Sequence, residues 1–207
     1  MQAKNLLLIF TRNPELGKCK TRLAATVGNK SALAIYKFLL NHTVSITKNL
    51  SLTKQVYYSE VIWENDVWDT THYQKKIQKG ADLGVRMENA FKEGFDSGFE
   101  KVIIIGSDMF DLNQNDLENA FLQLNNSEVV IGPADDGGYY LLGMKSIEPD
   151  IFRNKKWGTS TVLKDTLSNL NHKKITLLDS RNDVDLYEDI KDISEFQPFL
   201  KQHNNDT

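Results

Sequence analysis

The chain has 207 residues, a length that suits one domain with a sizeable buried core. Hydrophobic residues at 40% and charged residues at 26% are an ordinary globular mixture and argue against global disorder. A formal net charge of −3 disfavours a nucleic-acid partner, and a single cysteine, Cys19, excludes an intrachain disulfide and a cysteine-rich metal site.

Any polyanionic ligand must therefore meet a local basic cluster. The apolar run near the N-terminus is too short for a signal peptide. No stretch approaches the roughly 20 apolar residues of a membrane helix, so no membrane span is expected. A reducing, cytoplasmic setting fits this composition.

Asn5 to Phe10 is a continuous apolar run ending in Thr11-Arg12-Asn13-Pro14, which reads as a buried parallel strand followed by a loop. From Asn29 to Lys48 apolar residues recur at three and four, predicting a helix. Gln55 to Ser59 reads as a strand, and Val61 to Thr71 as loop or short helix. Gly84 to Phe95 is predicted helical, with Met87, Ala90, Phe91 and Phe95 on one face. Lys101 to Gly106 is the clearest central strand. A helix is predicted over Asp116 to Leu124, with Asp111 a cap candidate, and strands over Glu128 to Gly132 and Tyr139 to Met144. Ser160 to Leu170 reads as a helix capped by Ser160, Ile175 to Leu178 as a strand, and Leu186 to Leu200 as a closing helix.

Strands alternating with helices predict βαβ units and a mostly parallel α/β sheet. With no repeat or linker, residues 1–200 are expected to form one domain, followed by a polar tail over 201–207. Ligands of such sheets bind beyond the carboxyl ends of strands. Chemistry is therefore expected in the loops after Phe10, Ile105, Ile131 and Leu178.

The first of these loops crowds Arg12, Lys18, Lys20 and Arg22 around Gly17. Lysine supplies a point charge and arginine a planar fork for phosphate, while glycine permits close backbone approach. A solvated charged loop is the plainer reading. It is not a Walker A loop, because the first glycine is missing and Cys19 follows Gly17-Lys18 where Ser or Thr belongs.

Gly106-Ser107-Asp108 places an aspartate at a central strand end, suited either to Mg²⁺ or Mn²⁺ or to a turn. Asp135-Asp136-Gly137-Gly138-Tyr139 follows another strand end and is equally a hairpin signal. Asp183 and Asp185 open the last helical pattern, as N-cap or as a second metal carboxylate. Gly80, Asp82 and Arg86 either cap and flank a helix or line the nucleotide pocket. His42, His72, His172 and His203 show no metal-ligand spacing. Ser107 and Cys19 have no evident histidine partner for triad chemistry.

The order of Arg12-Asn13-Pro14, Gly17, Lys20-Thr21-Arg22-Leu23, Gly80, Asp82-Leu83-Gly84, Arg86-Met87, Gly106-Ser107-Asp108, Gly132-Pro133-Ala134, Asp136 to Met144, Trp157 and Thr159 resembles the DUF2064 group. These are GT-A-fold, glycosyltransferase-like proteins of the nucleotide-diphospho-sugar transferase superfamily. The chain is also similar to 2-phospholactate guanylyltransferase and the molybdenum-cofactor nucleotidyltransferases. The resemblance spans about residues 5 to 190.

It implies a GT-A sandwich, a mostly parallel central sheet between helices, with a metal-assisted nucleotide site at its carboxyl edge. By matching position, Arg12, Gly17, Lys20 and Arg22 hold phosphates and Asp108 binds Mg²⁺ or Mn²⁺. Asp185 is the second ligand, and Asp136 faces the acceptor together with Asp135, Gly137, Gly138 and Tyr139. The chain departs from the pattern at Phe110, where proline is common, at Leu186 in place of threonine, and at Gly158 in place of serine.

The expected partners are a nucleotide or nucleotide-sugar donor and a small-molecule acceptor. Glycosyl transfer from a nucleotide-diphospho-sugar is the leading function. The alternative is nucleotidyl transfer to a phosphorylated acceptor with pyrophosphate release, and a third reading is a non-catalytic nucleotide-binding module.

Overall fold

The computed structural model describes residues 4–200. The first apolar run becomes β1 (Asn5–Thr11), in which Leu6 to Ile9 are fully buried, as a strand covered on both faces requires. It pairs in parallel with β2 (Thr53–Tyr58) on one side and β4 (Lys101–Gly106) on the other. A further strand, β3 (Gln74–Ile77), lies parallel to β2 at the edge. Its Gln-Lys-Lys-Ile sequence carries almost no apolar signal, so sequence reasoning passed over it.

On the opposite flank, β6 (Tyr139–Met144) runs antiparallel between β4 and β5 (Val129–Pro133), and β7 (Ile175–Leu177) pairs in parallel with β5. The sheet order is β3-β2-β1-β4-β6-β5-β7. This is the mostly parallel α/β sandwich that the sequence predicts, with one reversed strand.

Strand alternation sends successive β1 residues to opposite layers. Leu7 and Ile9 pack with Tyr36 and Leu40 of α1 (Thr21–Thr47) and with Leu117 and Phe121 of α3 (Gln114–Gln123). Leu6 and Leu8 pack with Met87, Ala90 and Phe91 of α2 (Leu83–Asp96). Each such buried side chain stabilises the fold by roughly 1.5–3 kcal/mol relative to exposure.

Helix α1 is broken at Gly28, whose φ of 76° and ψ of 158° are not helical. The predicted start at Asn29 therefore falls on the kink, and a further helical segment from Thr21 precedes it. That segment buries Leu23 and Val27 against the C-terminal region rather than the sheet.

Three local expectations are corrected. Asn113, not Asp111, caps α3: its side chain accepts the Asp116 N–H, and Asp116 accepts the Asn113 N–H in return. Ser160 does not cap α4 (Val162–Asn169), where Thr161 stands at the cap. The closing helix over Leu186 to Leu200 is replaced by two 3-10 turns, Tyr187–Asp189 and Ser194–Phe196. The buried residues there, Val184, Ile190 and Phe196, recur every six residues, a spacing no α-helical face provides. Asp183 and Asp185 therefore cap no helix, and Asp189 takes that role by accepting the N–H groups of Asp185 and Leu186. The predicted tail from residue 201 lies outside the described residues. No helix among the described residues is long and apolar enough to cross a membrane.

Gly84 is a close approach. A Cβ there would meet the Phe152 carbonyl oxygen at 2.2 Å and the Trp157 ring at 2.8 Å. Gly84→Ala must therefore push α2 away from the 152–157 segment, at an expected cost of about 1–3 kcal/mol. Thermal denaturation should show a melting temperature several degrees lower; an unchanged value would contradict this packing.

Candidate active site

The β1 and β4 ends lie side by side, with Phe10 opposite Gly106, so the loops that follow them start at one level. A hydroxyl group cluster ties them together. Tyr36 Oη of α1 accepts the Arg12 N–H at 2.9 Å and lies 3.2 Å from Ser107 Oγ and 3.3 Å from Thr11 Oγ1. Ser107 Oγ donates to Thr11 Oγ1 at 3.1 Å. Ser107 is thus a structural hydroxyl among tyrosine and threonine. Buried Asn13 fixes the far side of the loop, donating to the Val61 carbonyl at 2.7 Å and accepting the N–H groups of Glu60 and Val61.

Lys20 lies in this frame in a left-handed conformation, φ 49° and ψ 46°, at the N-cap of α1. Such a backbone costs roughly 1–2 kcal/mol for a residue with a Cβ. Its side chain is only 6% exposed, and its ammonium pairs with Asp108 at 2.7 Å. Burial favours the neutral amine, but Asp108, and more weakly Asp185 and Asp183, outweigh it and leave the pKa above the ordinary lysine value. Arg22 binds the Asp185 carboxylate. Lys18 is half exposed and pairs with Glu15 at 2.7 Å and Glu60 at 3.4 Å. Asp82 caps α2 by accepting the Val85 N–H, and Arg86 Nε donates to the Gly80 carbonyl at 3.1 Å.

The β5–β6 loop is a tight turn at the same edge. Asp136 Oδ1 accepts the Gly138 N–H at 2.8 Å. Gly137, φ 89°, sits where a Cβ would lie 2.3 Å from the Ser160 carbonyl oxygen. The Leu163 N–H donates to the Gly137 carbonyl, so the loop and the start of α4 are joined. Asp135 turns aside and accepts from Ser180 Oγ. Tyr139 is held protonated by burial.

Asp183 was not singled out by sequence reasoning beyond a cap or alternative ligand. Burial first, then the neighbouring Asp108, Asp136 and Asp185 carboxylates, push its pKa up to about 6, against the opposing pull of Lys20. The site thus carries more negative charge than its own cations neutralise.

Two cavities meet at this edge and share Phe10, Leu83, Gly106 and Asp108. The larger, about 750 Å³, is lined by Arg12, Lys18, Lys20, Arg22, Asp82, Arg86 and Asp185. The smaller, about 270 Å³, is lined by carbon-rich side chains with Asp108, Asp136, Gly138, Tyr139 and Asp183 on its wall. Of the sequence candidates, Gly17, Gly80, Asp135 and Gly137 line neither cavity and shape the loops that do. Trp157, a wall of the smaller cavity, was seen in sequence only as part of a family signature.

Among the described residues, no group of three or more His, Cys, Asp or Glu side chains is gathered to hold a metal by itself. Magnesium needs only one or two carboxylates when phosphate oxygens and water complete its shell. The uncompensated charge around Asp183 and Asp108 fits such an ion.

Among solved structures, a candidate nucleotide-diphospho-sugar transferase from Desulfovibrio desulfuricans G20 matches with a TM-score of 0.84 and 28% identity, over 99% of this chain and 96% of its own. The 4-diphosphocytidyl-2C-methyl-D-erythritol synthase of Anaerococcus prevotii DSM 20548 matches at TM-score 0.58 and 10% identity, over 96% of each chain. CMP:2-keto-3-deoxy-manno-octonic acid synthetase in complex with CTP matches at TM-score 0.55 and 9% identity, over 95% of this chain and 99% of its own. The last two likenesses show the fold alone. Among curated proteins no sequence matches.

The chain is accordingly a transferase built on the nucleotide-diphospho-sugar transferase fold. A family model described as an uncharacterized protein conserved in bacteria (DUF2064) matches residues 43–159, more than half of the chain, and the chain belongs to that family.

The Asp183 carboxyl gives a signed expectation. Its folded pKa lies above the unfolded value of 3.8, so it costs nothing below that pH, where both states hold the proton. The cost grows as pH rises through about 6 and is full above it. Asp183→Asn should therefore stabilise the ligand-free protein at pH 7.5 by on the order of 1 kcal/mol, allowing for partial solvent screening. The gain should fade at pH 4.5 in thermal or urea denaturation. A loss of stability at pH 7.5 would show that the carboxylate is structurally satisfied.

Proposed function

We propose that the protein is a metal-assisted glycosyltransferase that uses a nucleotide-diphospho-sugar donor. The observation that carries this reading is the pair of chemically opposite cavities meeting at Asp108. One holds the site's lysines and arginines; the other has no basic residue on its wall among the described residues and three aspartates. A donor diphosphate belongs in the first. An uncharged acceptor belongs in the second.

Arg12, Lys20, Arg22 and Arg86 would hold the diphosphate, the arginines by their planar forks. Lys20 would stay charged in either state, because its pairing with Asp108 offsets its burial. Asp108 and Asp183 would hold Mg²⁺ or Mn²⁺, in preference to Asp185, whose carboxylate is engaged by Arg22. When bound, the cation neutralises charge developing on the leaving diphosphate. Asp136, fixed by the Gly138 N–H, would orient the acceptor hydroxyl group and take its proton. A cytoplasmic location belongs to the same proposal.

Nucleotidyl transfer is the second reading, favoured by the number of cations in the larger cavity and by likeness of fold to the CTP-bound synthetase. It requires a phosphorylated acceptor. The acidic wall of the smaller cavity would repel that phosphate, which is why glycosyl transfer is preferred.

The test is thermal shift across nucleoside triphosphates and nucleotide-sugars, each with and without Mg²⁺ or Mn²⁺. Metal-dependent stabilisation by a nucleotide-sugar, followed by nucleoside diphosphate release, is expected. Pyrophosphate release from a triphosphate would establish the second reading instead. No shift across the whole panel would favour a non-catalytic module.

Asp108→Asn should abolish the metal-dependent part of the shift. It should also cost about 1–3 kcal/mol, because the Lys20 ammonium loses its counter-charge. In Lys20→Met/Asp108→Asn that stability should return while the metal response stays lost. A metal response retained in either variant would remove Asp108 from the metal site.

A further inference from the structure

The smaller cavity also bears on what the acceptor is. Its volume of about 270 Å³ is at the small end for ligand sites. Phe10, Met87, Trp157 and Val162 contribute carbon walls. Polar capacity is confined to the Asp108, Asp136 and Asp183 group, whose carboxylates lie close enough to raise the Asp183 pKa. The walls are held in place. Gly84 lets the Trp157 indole lie against α2, and the Gly137 carbonyl accepts the Leu163 N–H to fix the start of α4.

A polyol or sugar in this cavity would lose its hydrogen bonds to water at most of its hydroxyl groups and find few replacements. Each unmatched buried hydroxyl costs roughly 1–3 kcal/mol. An anion would be repelled by the three aspartates. A compact hydrocarbon body with one hydroxyl group loses little and gains burial.

We propose that the acceptor is a small neutral alcohol with an apolar body, seated between Trp157 and Val162 with its hydroxyl group at Asp136. This rests on the glycosyltransferase reading. The acceptor oxygen forms a bond to the anomeric carbon as that carbon's bond to the diphosphate oxygen breaks. The bonding pair leaves with the nucleoside diphosphate, and the hydroxyl proton passes to the Asp136 carboxylate.

The test uses the ¹⁵N-labelled protein. It contains three tryptophans, and the Trp157 indole N–H signal is assigned by its loss in Trp157→Phe. Benzyl alcohol and cyclohexanol should shift that signal saturably, while glucose, glycerol and uridine at equal concentration should not. Val162→Thr, which keeps the wall's shape but adds a hydroxyl group, should weaken benzyl alcohol at least about threefold. Leu83→Asn, at an exposed rim position, should weaken it as well.

UDP-glucose and GDP-mannose with Mg²⁺ are titrated separately and read at the Lys18–Arg22 amides. A nucleotide-sugar that binds while neither apolar alcohol does overturns the acceptor proposal and leaves the donor reading standing. Alcohols that bind while no nucleotide-sugar does overturn the donor reading instead. Glucose, glycerol or uridine shifting Trp157 as strongly as benzyl alcohol overturns the proposal outright.

Discussion

Lys20 is held nearly out of water, in a left-handed backbone conformation, with the Asp108 carboxylate as its close counter-charge. An ammonium in that position stays charged only because the carboxylate stands at 2.7 Å, and the carboxylate stands there only because β1 and β4 are adjacent and in register. Tyr36 then closes the frame by bonding to the first loop and the second at once. The two cavities are consequences of this pairing. Asp108 is the wall they share, and Lys20 fixes the side on which the remaining cations gather.

The reversed strand β6 decides what stands opposite. Running antiparallel between β4 and β5, it brings its first residues to the edge where its neighbours end. The Asp135–Gly138 turn is therefore both a plain hairpin and a rim of the site. The sequence offered those as alternatives, and the topology makes them one loop.

Much of the fold was legible because buried central strands are apolar without interruption, as in Leu6 to Ile9 and Val102 to Ile105. The edge strand Gln74–Ile77 was not, since a strand with little buried surface needs no apolar pattern. The first segment of α1 was hidden because Gly28 interrupts the periodicity, and the last region because its buried residues recur at six. At the site, the basic loop and Asp108 were readable from motif order and strand ends. Choosing between Asp183 and Asp185 was not. They flank the buried Val184, and which of them faces the Asp108 cavity is set by tertiary packing. The Phe110 departure also has its reason in packing: its ring meets Phe38 of α1 and Phe196 of the C-terminal region.

The break at Gly28 divides responsibility within a single helix. Beyond it, α1 belongs to the sheet; before it, Leu23 and Val27 belong to a small separate cluster with Val184, Ile190 and Phe196. The arginine-bearing first turn and the acidic 183–185 stretch thus share one satellite core made from the two ends of the chain. Stabilities of such units are local. Deleting the last stretch of the protein would spare every strand and still unmoor the loop that bears Lys20 and Arg22. The seven-stranded sheet would survive as a scaffold with half its site adrift.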